Sequence, residues 1–429
     1  MSKSRYVLPL VAALVLLGIG LLVSPELIRA LPGRYAYYLP EPLQDLRHNP
    51  HPDTLPSPVL TPIPPHTHTP TPAHPPTPSP TATPAPTSTS SPLPPTASPA
   101  PTATPSPTPP VSLVLTGLRH EHQGWNNCGP TTLAMALSYW GRTETQYDVA
   151  PALKPDPEDK NVSPWEMESY TRGLGLGALV RVGGTVEQLK ALVRAGFPPI
   201  VETWYVRDAS DQLGHYRLIV GYDDSAQQFI TYDSLHGPDV TIGYQELDEL
   251  WRVFNRVYLI VYAPERWEEL ASVLGPDLDA ATVYEQALEV ARSEAANPPE
   301  SCVAYATSAD WVTFSWFNVG SNLTSLRRHA EAAAAYDQAR QLGLPYRMLW
   351  YQFGPYESYH ATGRTDDVIA LADATLVTTN NLEESYYWRG MARLAQGDGS
   401  GARADLEAAL RYHAGWPPAV VALAEIQDS

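Results

Sequence analysis

A proline-rich stretch near the N-terminus constrains this 429-residue chain more than any other feature. Residues 51–110 hold 23 of the 45 prolines, together with 14 Thr, 7 Ser and a single formal charge, at Asp53. Such a composition offers too few apolar side chains to bury, so the chain cannot be one continuous globule. Proline fixes φ and lacks an N–H group, which favours extended polyproline II. We therefore predict a disordered Pro/Thr-rich linker at 51–111, which could reach on the order of 190 Å if fully extended.

The N-terminus predicts a membrane anchor. Residues 6–23 read YVLPLVAALVLLGIGLLV without a charge, and Lys3 and Arg5 precede them. A run of this length spans a hydrocarbon core, and the flanking cations predict a cytoplasmic tail at 1–5. Residues 24–50 are then a juxtamembrane segment and the rest is extracytoplasmic. The rival interpretation is a cleaved signal peptide, which also exports the remainder of the chain.

Charge and cysteine content exclude several classes of function. Net charge is −18, from 28 basic and 46 acidic residues, and no basic cluster is present, so nucleic-acid binding is not predicted. The two cysteines, Cys128 and Cys302, rule out a disulfide scaffold and a four-cysteine zinc module. His120 and His122 lack a third ligand nearby, so neither a metal nor another cofactor is predicted.

Cys128 is placed as a nucleophile would need to be. The stretch around it, NNCGPTTLAMALSYWG, has Pro130 suited to a first helical turn and Gly141 suited to the position after a helix end. Cys128 therefore lies at the start of a buried helix, where backbone N–H groups and the helix dipole favour a thiolate. The alternative is a small buried cysteine in a core helix.

The elements that follow predict an α+β domain at 112–264. Ser163 with Glu166 and Thr185 with Gln188 have capping-box spacing, so each pair starts a helix. A predicted strand at 111–117 opens the domain. Three further strands are predicted at 199–205 (PIVETWY), at 214–224 and at 229–237, and a polar turn joins the last two. A short helix at 244–251 and a strand at 257–262 complete the domain.

His215 and Asp233 complete a set of groups suited to acyl transfer. His215 begins one predicted strand, and Asp233 lies 18 residues later near the end of the next, so antiparallel pairing can bring them together. A cysteine nucleophile needs an imidazole that accepts its proton, and the imidazole needs an acceptor that fixes its tautomer. Cys128, His215 and Asp233 supply these groups. The alternative is a structural histidine in a strand.

Residues 117–262 resemble the C-39-like cysteine peptidases, which are related to the bacteriocin-processing peptidases. The resemblance rests on four blocks in order: Gln123 with NNCGPTTLAMALSYWG, then GGTVEQLKALVRAGFPPIV, GHYRLIVGYDD and the strand that ends at Asp233. It implies a papain-like fold, in which a helix that carries the nucleophile packs on an antiparallel sheet. Cys128 would be the nucleophile, His215 the general base and Asp233 the orienting acid. Gln123 would donate to the oxyanion with the Cys128 N–H.

Two departures from the family pattern affect the oxyanion hole. Gln123 stands five residues before the cysteine, where the family has six, so His122 or Asn127 are alternative donors. Ser234 follows Asp233 where proline is common. A degenerate domain that only binds is a further alternative.

The C-terminal third predicts a helical solenoid. Its signal is a period of 34 to 36 residues shared by Trp316, Gly320, Trp350, Gly354, Tyr386 and Gly390. This spacing resembles the tetratricopeptide repeat, and residues 312–426 hold about three copies, after a connector at 265–311. The resemblance implies a protein partner on the concave face. An ordinary helical bundle is the alternative.

Together these features predict a membrane-anchored extracytoplasmic cysteine peptidase with a repeat domain for partner binding. Its substrate would be a peptide or protein. The same triad would also serve another acyl transfer, such as transglutaminase-like crosslinking, because both reactions pass through a thioester. A catalytically inactive cell-surface adaptor is the alternative from a different class.

Overall fold

The computed structural model describes residues 53–59, 109–208, 211–302 and 308–427, together with Ile28, Leu31 and Tyr35. The predicted anchor at 6–23 and most of the predicted linker lie outside these residues. Within the described ranges, no helix is both long and apolar enough to cross a membrane.

The N-terminal half of the folded region mixes strands and helices. Its strands are β1 Ser112–Val114, β2 Gly177–Arg181, β3 Pro199–Asp208, β4 Asp211–Asp223, β5 Gln228–Asp233, β6 Gly237–Gly243 and β7 Tyr258–Tyr262. Its helices are α1 Cys128–Tyr139, α2 Gln146–Leu153, α3 Pro164–Gly173, α4 Val186–Arg194 and α5 Tyr244–Arg252.

The rest of the described chain is helical. Its helices are α6 Trp267–Leu274, α7 Ala280–Ala296, α8 Ser308–Ser325, α9 His329–Gln341, α10 Gly354–Ala361, α11 Thr365–Thr378, α12 Glu383–Ala395, α13 Gly399–Tyr412 and α14 Pro417–Gln427. The predicted connector at 265–311 therefore contains α6, α7 and the start of α8.

Local capping sets where two helices begin. Ser163 precedes α3, accepts a hydrogen bond from Glu166 N, and has its own N–H bound by the Glu166 carboxylate, which is a complete capping box. Thr185 precedes α4 and accepts from Gln188 N at 3.1 Å. Both starts agree with the sequence prediction, because a cap depends only on neighbouring residues.

One antiparallel sheet forms the platform of the N-terminal half. Its strand order is β2-β7-β3-β4-β5-β6, and β1 pairs with the end of β4. In the central pairs, Thr203 lies opposite His215 and Arg217 lies opposite Asp233. The predicted helix bearing Cys128 on an antiparallel sheet is thus present. Strands β2 and β6 were not predicted.

The C-terminal helices form successive antiparallel pairs, consistent with a repeat solenoid. Pairs α8/α9, α10/α11 and α12/α13 correspond to the three predicted copies. A Cβ at Gly320 would lie 2.5 Å from the Tyr336 ring, so glycine permits the close approach of α9 to α8. The middle copy is short at its first helix, because a 3-10 turn at Tyr346–Trp350 replaces the turns that would precede Gly354.

The sheet and the C-terminal helices share one hydrophobic core. Trp204 of β3 contacts Phe314 of α8 and Tyr351 with ring centroids 5.9 and 6.4 Å apart. Asn255 and Asn322 exchange reciprocal carboxamide hydrogen bonds of 2.7 and 3.1 Å. Apolar and polar contacts thus join the domain predicted at 112–264 and the repeats predicted at 312–426 within one compact unit.

Residues 53–59 also belong to this folded body, although they lie inside the predicted linker. Thr54 pairs with Pro345 in an isolated antiparallel bridge, and Leu55 is only 4% exposed. The compact unit that contains them resumes at Val111. The composition of 51–110 does not predict that this segment is folded, because its packing depends on residues almost 300 positions later in the same chain.

Candidate active site

Cys128 is the first residue of α1, as the sequence predicts. Asn127 precedes the helix and donates through Nδ2 to Gln146 Oε1 at 3.0 Å, while its carbonyl accepts from Thr131 N. Gly129 permits close packing, because a Cβ there would meet Val162 at 3.2 Å and the Tyr216 ring at 3.5 Å. The helix start is therefore seated tightly against β4.

Burial decides the protonation of the Cys128 thiol. It raises the pKa of the thiol to about 11, and the charge of Glu202 acts in the same direction. Backbone N–H groups of Tyr216 and Gly129 and the charge of Lys154 lower the pKa, but by less. The helix-start argument predicted a thiolate. The resting group is instead a neutral thiol at pH 7, because desolvation outweighs the donors.

His215 and Asp233 form the pair predicted from adjacent strands. His215 Nε2 lies 3.0 Å from Asp233 Oδ1, and the two residues are 1% and 0% exposed. Asp233 Oδ1 also accepts from the backbone N–H groups of Leu235 and His236, and Arg217 Nε lies 3.2 Å from Oδ2. Asp233 is thus a buried carboxylate that binds His215, Arg217 and two backbone N–H groups at once.

The electrostatics of the pair fix the histidine tautomer. Burial raises the pKa of Asp233, but the hydrogen bond to His215 and the charge of Arg217 outweigh it and hold that pKa far below its usual range. Burial lowers the pKa of His215, although the bond to Asp233 partly offsets this. An ionised Asp233 beside a neutral imidazole places the ring proton on Nε2 and leaves Nδ1 as the proton acceptor.

Cys128 meets the strand beside His215. The N–H of Tyr216, the residue after His215 on β4, lowers the pKa of the thiol, and Gly129 packs against the Tyr216 ring. Cys128 and His215 are both within the described ranges, and no hydrogen bond joins the Cys128 sulfur to the His215 ring. The structure thus joins His215 to Asp233 and places Cys128 against the adjoining backbone.

Gln123 is held at the end of β5 by Ser234. Its backbone N–H donates to Ser234 O at 2.8 Å, and Ser234 Oγ donates to Gln123 Oε1, also at 2.8 Å. His120 Nε2 lies 2.9 Å from Asp233 O and fastens the same loop. Because Oε1 is the atom engaged by Ser234, the Gln123 amide N–H groups are the ones presented for donation.

The two alternative donors are placed differently. The Asn127 carboxamide is bound to Gln146 in a buried position. The exposed His122 ring packs edge-on against His120 with centroids 4.8 Å apart. Gln123 is therefore the side chain of the three that is tied directly to the strand carrying Asp233.

Sequence reasoning missed Glu202 and Tyr351. Glu202 is 4% exposed near Cys128, and burial raises its pKa to about 8. Tyr351, from the C-terminal helical region, packs against Phe254 with ring centroids 5.8 Å apart and approaches Gly214, the residue before His215. Glu202 lies in a predicted strand, but nothing in that strand's sequence shows that its side chain approaches Cys128. No local pattern links Tyr351 to the site.

The second cysteine lies elsewhere. Both cysteines are free, and Cys302 Sγ donates to Glu249 Oε2 at 2.7 Å. Across the described ranges, no group of three or more His, Cys, Asp or Glu side chains is arranged to hold a metal ion.

Comparison with known proteins found a similarity for the N-terminal half of the folded region. Residues 115–263 match the Peptidase_C39 like family. The match indicates a cysteine-peptidase-like domain, and it contains Cys128, His215, Asp233 and Gln123. No tetratricopeptide family was found for the C-terminal helices. No curated protein matches the chain.

Proposed function

We propose that this chain is a cysteine peptidase that hydrolyses peptide bonds with Cys128, His215 and Asp233. The observation that carries the proposal is the buried bond between His215 Nε2 and Asp233 Oδ1 beside a helix that begins at Cys128. The match of residues 115–263 to the Peptidase_C39 like family supports it.

The proposed first step forms a thioester. The Cys128 sulfur attacks the scissile carbonyl carbon while its proton passes to His215 Nδ1. Gln123 Nε2–H and the Cys128 N–H stabilise the oxyanion that develops. When the tetrahedral intermediate collapses, the C–N bond breaks and the leaving amine takes the proton from His215.

The proposed second step regenerates the enzyme. His215 Nδ1 takes a proton from a water molecule, whose oxygen attacks the thioester carbonyl. The C–S bond then breaks, the carboxylic acid leaves, and the Cys128 sulfur recovers its proton from His215. Asp233 stays ionised throughout and stabilises the imidazolium. Because thiol and imidazole start neutral, proton transfer accompanies the attack.

Location and partner binding are part of the same proposal. The apolar run at 6–23 with Lys3 and Arg5 before it supports a single-pass anchor with an extracytoplasmic peptidase domain. The helix pairs from α8 to α13 support a tetratricopeptide-like solenoid, which would present a protein partner with an extended surface.

A product assay tests the function. Purified full-length protein is incubated with a fluorogenic peptide library that contains lysine, and products are identified by mass spectrometry. New peptide termini that require both Cys128 and His215 support hydrolysis. Isopeptide products would replace hydrolysis by transglutaminase-like transfer. If no library member is turned over, while a thioester-forming cysteine probe also fails to label Cys128, the adaptor function takes over.

A further inference from the structure

The start of the proline-rich stretch, residues 53–59, pairs with the loop that follows α9. Leu55 N donates to Leu344 O at 2.9 Å, and Tyr346 N donates to Asp53 O at 3.2 Å. These two bonds flank the bridge between Thr54 and Pro345. Residues 53–55 thus form a short antiparallel pairing with residues 344–346 of the helical region.

A buried arginine binds the next two residues of this segment. Arg340 Nε donates to Pro56 O at 2.8 Å, and Nη2 donates to Ser57 O at 3.0 Å. Arg340 is 2% exposed. Neighbouring prolines remove N–H groups but keep their carbonyls, so a guanidinium with five N–H donors suits such a strand better than another strand would.

An aspartate closes the same contact from the other side. Asp367 Oδ1 accepts from Val59 N at 3.0 Å and from Arg340 Nη1 at 2.7 Å. Arg364 donates to the second carboxylate oxygen at 2.7 Å. The backbone of residues 56–59 therefore supplies three of the hydrogen bonds that this buried ion pair makes, and a buried charge without such bonds is unfavourable.

Leu55 adds an apolar anchor to these polar contacts. It is 4% exposed, whereas Asp53, Thr54, Ser57 and Val59 are exposed. The helical region therefore binds this segment through one apolar side chain and through its main-chain groups. Folded surfaces recognise extended peptides in this way.

We propose that residues 53–59 are an intramolecular latch, which binds a peptide site on the helical region formed by Arg340, Leu344, Tyr346 and Asp367. Both ends of the linker, Val59 and Val111, then belong to one folded unit. The chain between Val59 and Val111 therefore starts and ends on the same unit, and the latch fixes where the N-terminal segment lies on that unit. The linker predicted at 51–111 then does not hold the folded unit away from the N-terminal segment, as a fully extended linker would.

A cut between residues 60 and 110 distinguishes a latch from a linker, here called a spacer, that holds the two parts together only through its covalent chain. A specific protease site replaces residues 81–86 of the full-length chain, which carries an N-terminal affinity tag and is kept in detergent. After complete cleavage, the tagged fragment is captured and the retained C-terminal fragment is measured over time. A latch retains the C-terminal fragment, whereas a spacer releases it at once, and immediate release would overturn the proposal.

Leu55→Asp tests whether the seated segment is what holds the fragments. The substitution lies outside the helices that form the site, so the folded unit should keep its helical content, which circular dichroism measures. We expect release at least about tenfold faster than in the unsubstituted chain, a change of about 1.4 kcal/mol. Ser57→Asp is the matched control, because it adds the same charge at an exposed position and keeps the carbonyl that Arg340 binds; its fragments should stay together.

The variants exclude association through detergent. Micelle-mediated retention would affect Leu55→Asp and Ser57→Asp equally, so equal retention in both overturns the latch. A synthetic peptide of residues 51–60 added in excess should speed release from the cleaved chain, and the same peptide with Asp at position 55 should not. None of these readouts depends on catalytic activity.

Discussion

Ser234 Oγ donates a 2.8 Å hydrogen bond to Gln123 Oε1, and the Gln123 N–H returns a bond of the same length to Ser234 O. These are the two positions at which the sequence departs from the pattern of the C-39-like peptidases. The serine that replaces the usual proline has a hydroxyl, and that hydroxyl orients the displaced glutamine. The two departures thus form one hydrogen-bonded pair. The Ser234 hydroxyl binds the Gln123 side chain, and the Gln123 N–H binds the Ser234 carbonyl.

Ser234→Ala should lower kcat because the Gln123 carboxamide loses its orienting bond. We expect Gln123→Ala to reduce kcat by roughly 10²–10³, or about 3–4 kcal/mol of transition-state stabilisation, and Ser234→Ala to have a smaller effect. Ser234→Ala added to Gln123→Ala should have no further effect, which a double-mutant cycle on a fluorogenic peptide measures. Ser225→Ala, in the exposed turn after β4, is the control. Additive losses would separate Ser234 from Gln123.

Cys128→Ala should abolish peptide hydrolysis, since it removes the attacking sulfur. His215→Ala should be as inactive, because the members of a triad act as a unit. Cys302→Ala is the matched control and should retain activity, as Cys302 bonds to Glu249 and contacts none of the proposed triad. Circular dichroism verifies that each variant is folded. Wild-type turnover by Cys128→Ala would end the enzyme proposal.

Alkylation of Cys128 should be slow at pH 7 and should accelerate as pH rises toward its pKa of about 11. The thiolate is the reacting form, and burial disfavours it. Glu202→Gln should speed alkylation at a fixed pH between 8 and 10, because it removes a negative charge that raises the pKa of the thiol. The rate is followed with iodoacetamide and peptide mapping, with Cys302→Ala as background. A rate that is already maximal at pH 7 would contradict the neutral thiol.

Glu202 should make the protein less stable as pH rises. Its pKa is raised from 4.5 to about 8 in the folded state, so the native chain holds a proton that the unfolded chain has lost. The stabilisation is present below pH 4.5 and is lost as pH approaches 8, with a total of at most about 5 kcal/mol. The melting temperature of Glu202→Gln should therefore depend less on pH between 5 and 8. Glu268→Gln, at an exposed site, should leave the slope unchanged.

The sheet and the C-terminal helices should unfold together. Tyr351→Ala opens a cavity beside Trp204 and Phe254, which we expect to destabilise the whole unit by about 3–5 kcal/mol. Deletion of residues 300–429 should leave the remaining domain aggregated or unfolded, since its apolar face would be exposed. Differential scanning calorimetry should give one transition. Two separate transitions, or the same loss in the control Tyr147→Ala at a site 71% exposed, would contradict a shared core.

Features set by neighbouring residues could be predicted from the sequence. The helix starts after Ser163 and Thr185 follow from side chains that bond within three positions. The start of α1 at Cys128 follows from the residues around it in the same way. His215 meets Asp233 because two strands joined by a short turn must pair antiparallel, so their ends approach whatever the rest of the chain does.

The remaining features depend on residues far apart in the chain, and only the tertiary structure decided them. Cys128 is a neutral thiol because desolvation in the folded chain raises the pKa of the thiol, an effect that outweighs the local helix start. Leu55 lies in a proline-rich stretch that has no core of its own, yet the loop after α9 and Arg340 bury it. Tyr351 reaches the neighbourhood of His215 in the same manner. A cap or a hairpin is encoded within a few residues, whereas burial is the sum of contacts from distant segments, and a single sequence does not state which segments meet.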